Sequence, residues 1–91
     1  PRLTKQMMCE LISGQRIFEG TTENVSSSGL SVRLMTDEIL SNEVTVQLYR
    51  DGRVLLSARG EITRHTKVGG KEVVYGIRFL EPKGLELSSL I

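Results

Sequence analysis

Gly29-Leu30-Ser31-Val32-Arg33-Leu34-Met35 is the stretch on which the fold turns. Leu30, Val32 and Leu34 alternate with Ser31 and Arg33. A period of two puts one set of side chains on each face of an extended strand, whereas a helix would repeat its apolar residues every three or four. The same period runs outward in both directions. Upstream, Met7, Cys9 and Leu11 alternate with Gln6 and Glu10 and predict a strand ending at Ser13-Gly14. A less regular strand follows from Arg16 to Asn24, carrying Ile17, Phe18 and Thr22. Downstream, Glu43 to Arg50 repeats the pattern with Val44, Val46 and Leu48. Asp51-Gly52 then gives a strong hairpin signal, because both residues tolerate positive φ. Val54 to Arg64 is the expected return strand, with Leu56, Ala58 and Ile62 on one face. A second hairpin loop is expected over Lys67 to Lys71, and Glu72 to Phe79 closes the set with Val73, Tyr75, Ile77 and Phe79.

Six short strands, each with one apolar face, must wrap those faces around a common core. A small antiparallel β-barrel or closed sandwich does this, so the fold class is all-β. Thr36 to Leu40 has the length of one helical turn, and Leu85, Leu87, Leu90 and Ile91 after Pro82 read as the start of a short or truncated C-terminal helix. The expected organisation is one domain: an N-terminal arm over 1–5, a barrel over 6–80 and a tail over 81–91.

Composition narrows the function classes. The chain has 91 residues, a length that suits one domain. With Tyr49, Tyr75, Phe18 and Phe79 as its only aromatic residues, its core must be built mostly from Val, Leu and Ile. Twelve basic and eleven acidic residues leave a net charge of +1. That balance does not suit sequence-independent DNA or RNA binding, which needs a dense Lys/Arg face, nor a polybasic membrane module. No apolar run approaches the roughly 20 residues that span a bilayer, so direct membrane insertion by this segment is not expected. The lone Cys9 excludes an internal disulfide and a multi-cysteine metal site, and reads as a small core residue. The chain opens on Pro1 rather than Met, which suggests a fragment or a processed chain.

The chemistry-bearing stretch is Asn24-Val25-Ser26-Ser27-Ser28-Gly29, expected between two strands. Asn24 offers one amide acceptor and two donors to a base edge, and Ser26 a hydroxyl to a phosphate or base. Gly29 would allow positive φ or close approach of a ligand. The same residues also suit an ordinary β-turn, and Asn24-Val25-Ser26 is a glycosylation sequon in a chain with no sign of secretion. Elsewhere, Arg64 reads as a solvent-facing strand residue within reach of a ligand on the barrel surface. His65 reads as a solvated loop histidine, and Arg50, Arg53 and Arg59 as strand-face or hairpin-end charges. Met7-Met8 reads as core and edge packing. There is no nucleophile elbow, Walker loop or metal-ligand cluster, so no catalytic or metal residues are assigned and the chain is not expected to be an enzyme.

Asn24, Ser26 and Gly29 match the [D/N]-x-S-x-x-G motif of the PilZ domain family, and Tyr75-Gly76-Ile77-Arg78-Phe79 resembles that family's closing strand. The resemblance covers nearly the whole chain and implies a six-stranded antiparallel barrel that binds cyclic di-GMP. It further implies a regulatory domain whose N-terminal arm changes conformation on binding. Such a domain controls an attached or partner protein in exopolysaccharide synthesis, cellulose synthase included, or in motility. A cytoplasmic location follows, including that of a cytoplasmic domain of an inner-membrane protein. The family's R-x-x-x-R motif is present in part. Arg2 stands where its second Arg belongs; the first would precede Pro1, and taking Arg2 as the first fails because Gln6 occupies the required place. The resemblance therefore implies ligand contacts from Arg2, Asn24, Ser26 and Gly29, with an arm mobile until ligand orders it. A PilZ-like protein-interaction module that does not bind the nucleotide is the alternative. An unrelated RNA-binding barrel is disfavoured by near-neutral charge and the lack of an aromatic stacking face.

Overall fold

Alternating Val, Leu and Ile side chains fit a pleated, half-buried surface, and every segment with that pattern is a strand in the computed structural model. The structure describes residues 2–3 (backbone only), 6–36, 38 and 40–80. Its strands are β1 (Arg2–Leu3), β2 (Met8–Ser13), β3 (Arg16–Ser26), β4 (Gly29–Met35), β5 (Glu43–Arg50), β6 (Arg53–Gly69) and β7 (Glu72–Phe79). All pairings are antiparallel. They run β3-β2-β5-β6-β7-β4, and β4 returns to β3, which closes a six-stranded barrel. Closure pairs strand edges that would otherwise recruit another chain. β1 is an addition to the barrel: its two residues pair with the end of β3, Arg2 opposite Ser26 and Leu3 opposite Val25.

Two of the strands are longer than their sequence patterns suggest. β3 pairs with β2 through residues 16–21 and with β4 through 20–25. β6, at 17 residues, pairs first with β5 and then with β7. These two strands carry the sheet around its corners. Accordingly, the stretch from Asn24 to Gly29 is mostly strand, and only Ser27 and Ser28 lie outside β3 and β4. His65 and Lys67, expected beside or within a loop, also lie in β6. The described residues between Thr36 and Leu40 form no helix. The expected C-terminal helix lies outside the described residues.

The core contains the anticipated residues. Cys9, Leu11, Val25, Val32, Leu34, Val46 and Leu48 are fully buried, joined by Val44, Val73, Tyr75, Ile77 and Phe79. Leu40 is also buried in this cluster, and Tyr75 Oη donates to the Glu38 carbonyl at 3.4 Å, tying the β4–β5 connection to β7. Asp51 and Gly52 have φ of 52° and 77°, the doubly positive turn that matches strand twist in a two-residue hairpin. Cys9 behaves as a core residue: burial, with a smaller contribution from Glu10, pushes its thiol up to about 12.

Candidate functional site

Two bulges decide which side chains reach the outer surface. On β3, Thr22 faces inward and is fully buried, so strict alternation would also turn Asn24 inward. The register shifts between Thr22 and Asn24, with Glu23 as the extra residue. Asn24 therefore stands opposite Ser31 on the outer face while Val25 enters the core. On β6, the register shifts between Ile62 and Arg64 around Thr63, whose Oγ1 donates to the Gly76 carbonyl at 3.2 Å. Arg64 thereby moves to the outer face opposite Gly76. A bulge re-aims one side chain at the cost of a local ladder interruption, and here it does so twice.

Register then assembles one row across four strands: Asn24 on β3, Ser31 on β4, Gly76 on β7 and Arg64 on β6. The two middle residues are small, so the row is a trough with Asn24 and Arg64 at its ends. Two residues along β3, Ser26 lies on the same face as Asn24, as period two requires, and Arg2 stands opposite it on β1. Asn24, Ser26, Gly29, Ser31, Arg64 and Arg78 line one open concavity of about 290 Å³. The sequence-expected residues Asn24, Ser26 and Gly29 are thus together, and Arg2 is adjacent in register. The expected arm does not begin apart from the barrel; its Arg2–Leu3 backbone is a strand on it.

Hydrogen bonding separates the roles of these residues. Ser26 Oγ accepts from the Ser28 N–H at 3.3 Å, lies 3.1 Å from Ser28 Oγ and reaches the Gly29 carbonyl at 3.3 Å. It shapes the turn as well as facing the concavity. The Asn24 side chain has no hydrogen-bond partner among the described residues, so its donors and acceptor are available. Arg78 is engaged by Glu61 at 3.0 Å.

Gly29 corrects an expectation. Its φ is not positive. A Cβ there would fall on the Ile77 carbonyl oxygen and lie 3.1 Å from the Ile77 carbonyl carbon, so the position requires glycine because β7 backbone passes against it. Sequence reading did not identify Ser31, Thr63 or Gly76 as part of this face. Only Gly76 carried a signal, as a glycine inside an apolar strand, which often marks close approach.

A second cleft of about 250 Å³, lined by Leu40, Ile62, Val73 and Tyr75 with His65 and Lys67, lies away from the motif. Among the described residues no group of three or more His, Cys, Asp or Glu could hold a metal ion, and no helix is long and apolar enough to cross a membrane.

No curated protein matches the chain. Among solved structures, the chain is similar to the PilZ domain of CeSA from a cellulose-synthesizing bacterium, with a TM-score of 0.59 and 24% identity over 89% of this chain and 82% of that one. That likeness supports the barrel fold. The model of the PilZ domain matches residues 1–91. Motif, barrel closure and full-length match agree, and the chain belongs to the PilZ domain family.

Proposed function

We propose that the outer face of β3, β4 and β7 binds cyclic di-GMP and that binding is passed through the N-terminal arm to an attached or partner protein. PilZ domains are a family of cyclic di-GMP receptors. The observation that carries the reading for this chain is the convergence of Asn24, Ser26 and Gly29 on one concavity, with Arg2 in register beside Ser26. The unpartnered Asn24 amide suits a guanine edge, whose donors and acceptors sit close together. Arginine suits either a phosphate or guanine O6/N7, since its planar fork matches both bidentately. Because β1 is the strand next to Ser26, a ligand on this face meets the arm directly. A change in arm position is the route by which binding reaches whatever precedes it.

The role is regulatory rather than catalytic. The similarity to a PilZ domain from a cellulose-synthesizing bacterium favours exopolysaccharide synthesis as the process, with motility the other; a cytoplasmic place of action is part of the same proposal. The test is calorimetric titration with cyclic di-GMP, of the chain and of Asn24→Ala. Saturable binding that Asn24→Ala weakens supports the receptor reading. An intact fold that takes up no nucleotide supports an interaction module instead.

A further inference from the structure

Arg33 holds two carboxylates at once, and one of them belongs to the bulge beside Asn24. It lies on β4 between the core residues Val32 and Leu34, so its side chain is on the outer face. From there the guanidinium ties three strands together. Its Nε donates to Glu23 Oε2 on β3 at 3.2 Å, one terminal nitrogen bonds the same oxygen, and the other bonds Glu72 Oε1 on β7. Two residues along β4 from Ser31, Arg33 lines a concavity with Met8, Gly20 and Met35 and is not part of the motif concavity.

The bulge gives this contact its consequence. Thr22 and Val25 both point inward and are fully buried, so the two residues between them are left to the outer side. Two residues of a bulged strand oppose one on the partner, and core packing alone does not choose which of them stands opposite Ser31. Asn24 does. Arg33 pairs in register with Thr21, so it sits on the Glu23 side of Ser31. Its bonds draw Glu23 toward that side and leave Asn24 above the trough. They also neutralise a carboxylate next in sequence to a residue that faces an anionic ligand. A free carboxylate there would repel a dinucleotide with two phosphates.

We propose that Arg33 is a positioning residue of the site: paired to Glu23, it keeps that carboxylate out of the concavity and Asn24 in it, without touching the ligand; this rests on the receptor reading above. The bond to Glu72 anchors the guanidinium to β7, and the planar fork serves both carboxylates from one position.

The experiment titrates cyclic di-GMP by calorimetry into the full chain, Arg33→Gln, Arg33→Lys, Glu23→Gln and the Arg33→Gln/Glu23→Gln double variant. Thermal unfolding and the NMR resonances of the Asn24 side-chain amide are followed in each. Arg33→Gln should weaken binding by about 3- to 30-fold, within the range by which neighbouring charged residues couple, and should shift the Asn24 amide resonances. Its Tm should change little, since ion pairs this exposed contribute little to stability. Arg33→Lys should fall between the two, because the charge is kept and the fork lost. Glu23→Gln in the Arg33→Gln background should restore affinity to within about threefold of the parent chain. Neither a direct ligand contact by Arg33 nor a general loss of structure gives that recovery. Unchanged affinity in Arg33→Gln, or a deficit that persists in the double variant, overturns the assignment while leaving the receptor reading intact. A folded parent chain that takes up no dinucleotide overturns both.

Discussion

Replacing Gly29 by alanine tests the tightest steric demand on the motif face. The added Cβ would overlap the Ile77 carbonyl oxygen and lie 3.1 Å from the Ile77 carbonyl carbon and 3.2 Å from Arg78 Cα. All three atoms are backbone, so no side-chain rotation relieves the clash. Restoring an ordinary carbon–oxygen contact of about 3.3 Å requires β4 and β7 to part by roughly an ångström. Such overpacking costs about 1–3 kcal/mol. The separation also strains the Phe79 N–H bond to the Ser28 carbonyl, 2.8 Å long. Together with adjacent ladder bonds, it adds about 1 kcal/mol. The expected loss is therefore about 2–4 kcal/mol, against a total of about 5–15 kcal/mol for a typical domain. For a domain of this size, Tm should fall by roughly 10–25 °C. Denaturant titration and thermal unfolding measure the loss, and amide hydrogen exchange locates it: the Phe79 N–H should exchange faster than in the parent chain. A Gly29→Ala variant within about 0.5 kcal/mol of the parent, the usual range for unremarkable surface changes, would refute the close-approach argument.

Other outcomes follow from the same geometry. Ser26→Ala removes both a turn hydrogen bond and a hydroxyl facing the concavity, so on the receptor reading it should weaken cyclic di-GMP binding by about 1–2 kcal/mol with a smaller drop in stability; calorimetry showing unchanged affinity would reject Ser26 as a contact. A polypeptide extended upstream to place an arginine four residues before Arg2 should bind cyclic di-GMP more tightly than the chain starting at Pro1, because two arginines share one arm's ordering cost; equal affinities in parallel titrations would mean that the arm is not a clamp. Cys9, raised in the folded state from an ordinary 9.0 to about 12, contributes stability that is fully present below pH 9 and is lost as pH rises toward 12. The slope from this thiol is at most about 1.4 kcal/mol per pH unit, and Cys9→Ala should flatten the alkaline limb of the stability profile; identical slopes for parent and variant would contradict it.

The strands, their apolar faces and the closed all-β architecture were legible in the sequence because period-two alternation reports directly which side chains face a core. Leu30, Val32 and Leu34, or Val73, Tyr75, Ile77 and Phe79, could face the core only together, and they do. The Asp51-Gly52 turn was legible for a similarly local reason, its positive φ values. The motif residues were legible as residue types, with Gly29 expected for positive φ or close approach of a ligand rather than for packing against a strand. The reason for Gly29 was not legible, since it lies in the Ile77 backbone, 48 positions away. Nor were the two bulges. Nothing local to Glu23 or Thr63 announces an extra residue, and unbroken alternation would send Asn24 and Arg64 inward. Only pairing with β4 and β7 determines where the ladder must slip so that Val25 is buried and Thr63 bonds to the Gly76 carbonyl. Local sequence chose the side chains of the site. Long-range register, which depends on how six strands close around one core, decided that they share a face.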